Sequence, residues 1–174
     1  SDDGHSTISR NIIFADESSK ATIVQELYSP QTETQQAYLE LLNTNIAANA
    51  QLDVTTLQMM DQHAVTFSTR HTDLAQDAKV NWYSGLFGSM LSRYKTEYFL
   101  NGSGASSNDS EVIFGNNEQS FDIQTNVIHE SPSTEGRVVE KSILRNKSKS
   151  LFKGMIRIKE NATKSNSFLS GRSI

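Results

Sequence analysis

His63 and His71, with Asp61 and Asp73 beside them, are residues whose types and spacing could do chemistry. Eight positions apart, the histidines share one side of an unbroken strand, and imidazole with carboxylate is a metal donor set. A metal site needs three or four converging ligands, and spacing alone does not supply the register that would bring them together. They are read as polar strand residues. Asn101-Gly102-Ser103-Gly104-Ala105 has the look of a glycine-rich phosphate loop after a strand. It lacks a third glycine, and Ser106 to Phe114 reads as a polar turn and a strand, not as a helix whose N-terminus would hold phosphate. A tight turn is expected there. His129 shares the apolar parity of Phe121, Ile123, Thr125 and Val127 and opens His129-Glu130-Ser131-Pro132. No serine, cysteine or carboxylate nearby completes a catalytic set, so a hydrogen-bonded core residue or turn anchor is expected.

The elements that position these residues read as strands. Phe152, Gly154, Ile156 and Ile158 alternate with Lys153, Met155, Arg157 and Lys159, one side apolar and the other mostly cationic. Asn161-Ala162 reads as a turn, and Phe168-Leu169 opens a further short apolar run. An alanine followed by alternating residues recurs at Ala21, Ala50, Ala78 and Ala105, with spacings of 29, 28 and 27 residues. Each unit runs through a strand, turns near Asp61-Gln62 or Gly85 to Gly88, and returns through a second strand such as Ala64 to Thr69 or Arg93 to Leu100. A strand-rich repeat of this length is the sign of a solenoid, so a parallel β-helix is the leading architecture. A β-sandwich is the alternative. Gln35 to Asn45 stays ambiguous between helix and strand, because its Ala, Leu and Glu favour helix while its flanks favour strand.

The composition bounds the rest. The 174 residues suit one all-β domain over 1–174, with residues 1–8 expected to be a flexible terminus. The absence of cysteine excludes a disulfide framework and any thiolate cluster site on this chain. No apolar stretch is long enough to span a membrane, and the beginning SDDGHSTISR lacks a signal-peptide pattern. A soluble chain without a membrane partner is expected. Sequons at Asn101, Asn108, Asn146 and Asn161 carry little meaning without such a signal. Net charge is −4, but residues 1–136 hold 6 Lys+Arg against 18 Asp+Glu, and residues 137–174 hold 10 against 2. Aromatic residues for base stacking are sparse in this basic end, so it reads as a solvated strand face or a surface for an acidic protein, not for nucleic acid.

The ending from Lys149 to Ile174 resembles the SufB/SufD family of iron–sulfur cluster assembly proteins at Phe152, Lys153, Gly154, Ile156, Ile158 and Ala162. Upstream, Gly88, Ser92-Arg93, Leu100-Asn101-Gly102 and His129 with Pro132 are similar to further family positions, as is Ile8 to Ile13. The lack of cysteine favours SufD over SufB. The resemblance implies a right-handed parallel β-helix in a cytoplasmic assembly, where SufD pairs with SufB and each engages the SufC ATPase. It implies a scaffold, not an enzyme, with no catalytic, cofactor or metal residue in this stretch. The cluster would be handled by the full assembly, and Arg93, Gly102, His129, Pro132, Phe152, Lys153, Gly154 and Ala162 would be family-motif positions of structural or unknown role. The family's helical N-terminal region and its C-terminal strands and helices are missing from this stretch, which is therefore expected not to hold SufC or a cluster by itself. A solenoid cut across its coils is expected to form a homodimer through its C-terminal coils. The competing readings are a carbohydrate-active β-helix enzyme, which would need carboxylates and cations clustered on one coil face, and a secreted adhesin.

Overall fold

The computed structural model describes residues 6–31 and 33–174. Among them are twelve strands and no helix: β1 (Ser6–Ala15), β2 (Lys20–Tyr28), β3 (Gln36–Ile46), β4 (Gln51–Met59), β5 (Ala64–Leu74), β6 (Lys79–Leu86), β7 (Leu91–Leu100), β8 (Ser106–Gly115), β9 (Ser120–His129), β10 (Glu135–Leu144), β11 (Lys149–Ile158) and β12 (Asn166–Ser173). Odd strands form one six-stranded sheet in the order β1-β3-β5-β7-β9-β11, and even strands form the other, β12-β10-β8-β6-β4-β2. Every pairing is parallel, so each coil contributes one strand to each sheet and the chain winds into a flattened β-solenoid. A sandwich of antiparallel strands is thereby excluded.

One corner explains the repeat. Ser18, Asn49, Asp77, Gly104, Ser133 and Lys164 all have positive φ. Asn, Asp and Gly tolerate this left-handed turn most readily. The residue after each stacks in register as Ser19, Ala50, Ala78, Ala105, Thr134 and Ser165. A small side chain suits this rung, because Ala50, Ala78 and Ala105 are fully buried and their N–H groups donate back across the turn at 3.2 Å. Ala21 lies two residues past its rung, so the first interval is longer than the alanine spacing suggested. The first coil takes Ser19 in the alanine position, its N–H donating to Asp16 at 3.0 Å.

Gly102 sits at the same corner against the preceding coil. A Cβ there would lie 2.0 Å from the Gln76 nitrogen and 2.2 Å from the Ala75 carbonyl carbon, both main-chain atoms. Gly102→Ala should therefore cost about 3 kcal/mol in a urea unfolding titration. A change below about 1 kcal/mol would show that the coils separate more easily than this packing implies.

Gln36–Ile46 resolves to strand, with Glu40, Leu42, Thr44 and Ile46 turned inward. Ser6 to Ile8, expected in a loose terminus, are instead the first residues of β1, paired with Ala37 to Leu39. Residues 1–5 lie outside the described residues. Two apolar clusters fill the interior. The larger runs along the alanine corner through Ile46, Leu52, Leu74, Trp82 and Leu100, and the smaller gathers Leu86, Tyr94, Ile113, Phe121 and Ile123. Phe152 packs against both.

Candidate functional site: a polar seam inside the solenoid

Between the two apolar clusters the inward rows turn polar. Thr56, Ser84, Glu111 and Glu140 stand in register on β4, β6, β8 and β10, while Arg70, Thr96 and Thr125 do the same on β5, β7 and β9. All seven are buried. Parallel pairing without offsets stacks like positions over one another, so polar residues on inward parity line up as a seam.

Toward the N-terminal coils the seam is built on Glu40 and Arg70, each 1% exposed. The Arg70 Nε lies 3.5 Å from Glu40 Oε2, which also accepts a 2.6 Å hydrogen bond from the Ser68 hydroxyl. The Gln25 amide donates to Glu40 Oε1. The Arg70 guanidinium lies over the rings of Trp82 and Tyr94, 4.9 Å from each centroid, and donates to Ser84 Oγ at 3.3 Å. The countercharge, the Ser84 hydrogen bond and the π faces offset part of the cost of burying this pair, while Arg70 Nε and Nη2 have no hydrogen-bond partner.

Further along, acids outnumber cations. The Tyr98 hydroxyl donates to Asp109 Oδ2 at 2.9 Å, and Thr125 donates to Glu111 Oε1 at 3.0 Å. Glu140 is the in-register neighbour of Glu111. Asp109 Oδ1, Glu111 Oε2 and Glu140 Oε1 are buried without a protein hydrogen-bond partner. Burial pushes the Asp109 carboxyl up to about 6. Burial, then the charge of Asp109, holds Glu111 well above the usual carboxylate range, and burial also raises Glu140. Such groups can keep or exchange a proton near neutral pH. Past Glu140 the seam is plugged, because Leu169 fills the space in front of Gly154 and Phe152 fills the space in front of Gly171.

The residues singled out from the sequence lie elsewhere. His129 is fully buried at the end of β9, with Nδ1 2.7 Å from Thr134 Oγ1 and Nε2 3.3 Å from Ser167 Oγ. Burial lowers its pKa, so the imidazole stays neutral and ties the corner to the last coil. Pro132 accepts at its carbonyl from Ser103 Oγ at 3.1 Å and from the Gly104 N–H at 3.3 Å. Gly102 and Gly104 are thus parts of a stacked turn. Ala162 is buried in the last turn, its N–H donating to Lys159 at 2.9 Å. Phe152 and Gly154 line the inside of β11. Arg93 and Lys153 point outward and converge on Asp122, at 3.6 and 3.1 Å.

The His–Asp pairs do not converge. His63 Nδ1 is 3.0 Å from Asp61 before β5, whereas His71 Nε2 is 2.9 Å from Asp73 near its far end. Among the described residues no group of three or more His, Asp or Glu is placed to hold a metal ion. Glu40, Arg70, Asp109, Glu111 and Glu140 were the residues that sequence reasoning missed. Their one available signal was inward parity, shared with Leu42, Leu74, Ile113 and Val138.

The family model described as the SUF system FeS cluster assembly, SufBD core domain, matches residues 1–174. A protein of Staphylococcus epidermidis named as an iron–sulfur cluster assembly SufBD family protein is 25% identical over 147 residues, covering 84% of this chain and 32% of that protein. One of Staphylococcus aureus, named likewise, shows the same identity and coverage. The chain spans about a third of the length of these curated relatives.

Proposed function

The chain belongs to the SufBD core family of the SUF iron–sulfur cluster assembly system, and we propose that it forms the core of a SufD-like scaffold subunit that works through protein contacts and not by turnover. The observation that carries this reading is the match of the SufBD core family model to residues 1–174, on a solenoid of twelve parallel strands. The basic C-terminal end, residues 137–174, bears on the class of partner. The cations of this end are partly committed to the coil before it, through Lys147–Glu118 at 3.1 Å, Lys153–Asp122 at 3.1 Å and Lys159–Glu130. That use leaves fewer free cations for a nucleic-acid surface.

In the longer protein the partners are SufB and the SufC ATPase in the cytoplasm, and the iron–sulfur cluster is cargo of the whole assembly. The absence of cysteine supports the SufD-like side of the family. A second copy of the chain, met through the C-terminal coils, is the further partner proposed. A carbohydrate-active reading gains nothing from the clustered carboxylates Asp109, Glu111 and Glu140, which are buried where no polymer reaches. The longer protein should co-purify with SufB and SufC, whereas residues 1–174 alone should not retain SufC. Tight SufC binding by the isolated chain would overturn this division of labour.

A further inference from the structure

A second feature lies on the outside, at the corner opposite the alanine rungs. Tyr28, Met59, Phe87, Phe114, Ile143 and Ile174 occupy equivalent positions on successive coils. Each coil therefore sets one large apolar side chain in the same outward row. Tyr28 is 74% exposed, Phe87 39% and Ile174 75%. Leu57 and Val112 widen the row on one side, and the Phe87 ring lies over Gly85, where a Cβ would meet it at 2.7 Å. On the other side the row borders a groove. One stretch of about 700 Å³ is lined by Met59, Phe87, His63 and Gln119, and the next, of about 580 Å³, by Phe87, Met90 and Phe114.

At roughly 4.8 Å per coil the row is about 24 Å long. It is one or two side chains wide, too narrow for the roughly 800 Å² per partner of a stable dimer of solenoids. It fits one face of a helix of about 16 residues, whose turns of about 5.4 Å nearly match the coil spacing. The flanking charge changes sign along it. Glu26, Glu33 and Glu118 border the early and middle coils, and Lys141, Arg145 and Arg172 the last two, with Glu118 and Lys147 meeting at 3.1 Å where the sign turns. We infer that this row is the docking surface for an amphipathic helix of a partner protein, one with an apolar stripe, cationic residues toward one end and anionic residues toward the other. The cationic end lies over the early coils, the anionic end over the last two. The inference does not rest on the family assignment.

The probe is a labelled 18-residue helical peptide with leucines on one face, lysines in one half and glutamates in the other, titrated against the full 174-residue chain by fluorescence anisotropy. Saturable binding with a micromolar dissociation constant is expected. A peptide of the same composition with the leucines shuffled off one face should bind at least tenfold more weakly. Phe87→Asp should weaken binding tenfold or more. Phe14→Asp, at a more exposed apolar position on the outer side of β1, should leave it unchanged, and circular dichroism should show both variants folded. Absence of saturable binding, equal binding of the shuffled peptide, or equal effects of the two variants would overturn the inference. Self-association of the chain that Phe87→Asp abolishes in sedimentation would also overturn it, by assigning the row to a second copy.

Discussion

Arg70→Ala is expected to lower the free energy of unfolding by about 3–5 kcal/mol, because it strands the Glu40 carboxylate inside the solenoid. The loss has two parts. Glu40 keeps its hydrogen bonds from Ser68 and Gln25 but loses its countercharge, and the space between Trp82 and Tyr94 empties. The two parts are separable. Arg70→Met with Glu40→Gln removes both charges while filling most of the volume, so the double variant should recover most of the stability in the same urea titration. If Arg70→Ala alone costs less than 1 kcal/mol, or the double variant recovers nothing, the ion pair is not what holds this part of the seam.

The acidic half of the seam should make the protein less stable as pH rises from about 5 to 8. Asp109, Glu111 and Glu140 all have folded pKa values above their unfolded ones. The folded state then binds protons more tightly than the unfolded chain. The stabilisation is complete below the unfolded carboxylate range and is lost as pH climbs through the folded values. For Asp109 that window runs from the ordinary 3.8 to about 6, and for Glu111 it starts at the ordinary 4.5 and extends well beyond. The expected loss is on the order of 2 kcal/mol. Glu111→Gln should raise stability at pH 8 and flatten the profile, since the amide keeps an acceptor for Thr125 without adding a buried charge. A variant with an unchanged pH profile would remove Glu111 from this account.

The fold was legible where burial and turn chemistry agree. Ala50, Ala78 and Ala105 mark true rungs because each must be small and buried under a left-handed residue. Phe121 to Thr125 alternate because every second side chain faces the core, whereas from Asn126 to His129 both faces of the strand are buried. The seam was not legible, because a period of two says only that residues share a face. In β3, Leu39 and Leu41 point outward while Glu40 and Leu42 point inward, so apolar character could not tell the faces apart. Arg70 has the same difficulty, with Phe67 exposed across the strand from it. The apolar row from Tyr28 to Ile174 was hidden for another reason. Its members lie about a coil apart in sequence, and only the register brings them together. Among the motif positions, Arg93 and Lys153 acquire a shared meaning only through Asp122, which no sequence argument had connected to either.

The most direct test of the scaffold reading is the rate of cluster assembly on an acceptor protein, measured anaerobically with SufB, SufC, iron and a sulfur donor, with and without the longer protein. A scaffold predicts that assembly rises several-fold when the longer protein joins the complex, and that it falls back when residues 1–174 are deleted from it. Assembly that proceeds equally fast without this core would contradict the account.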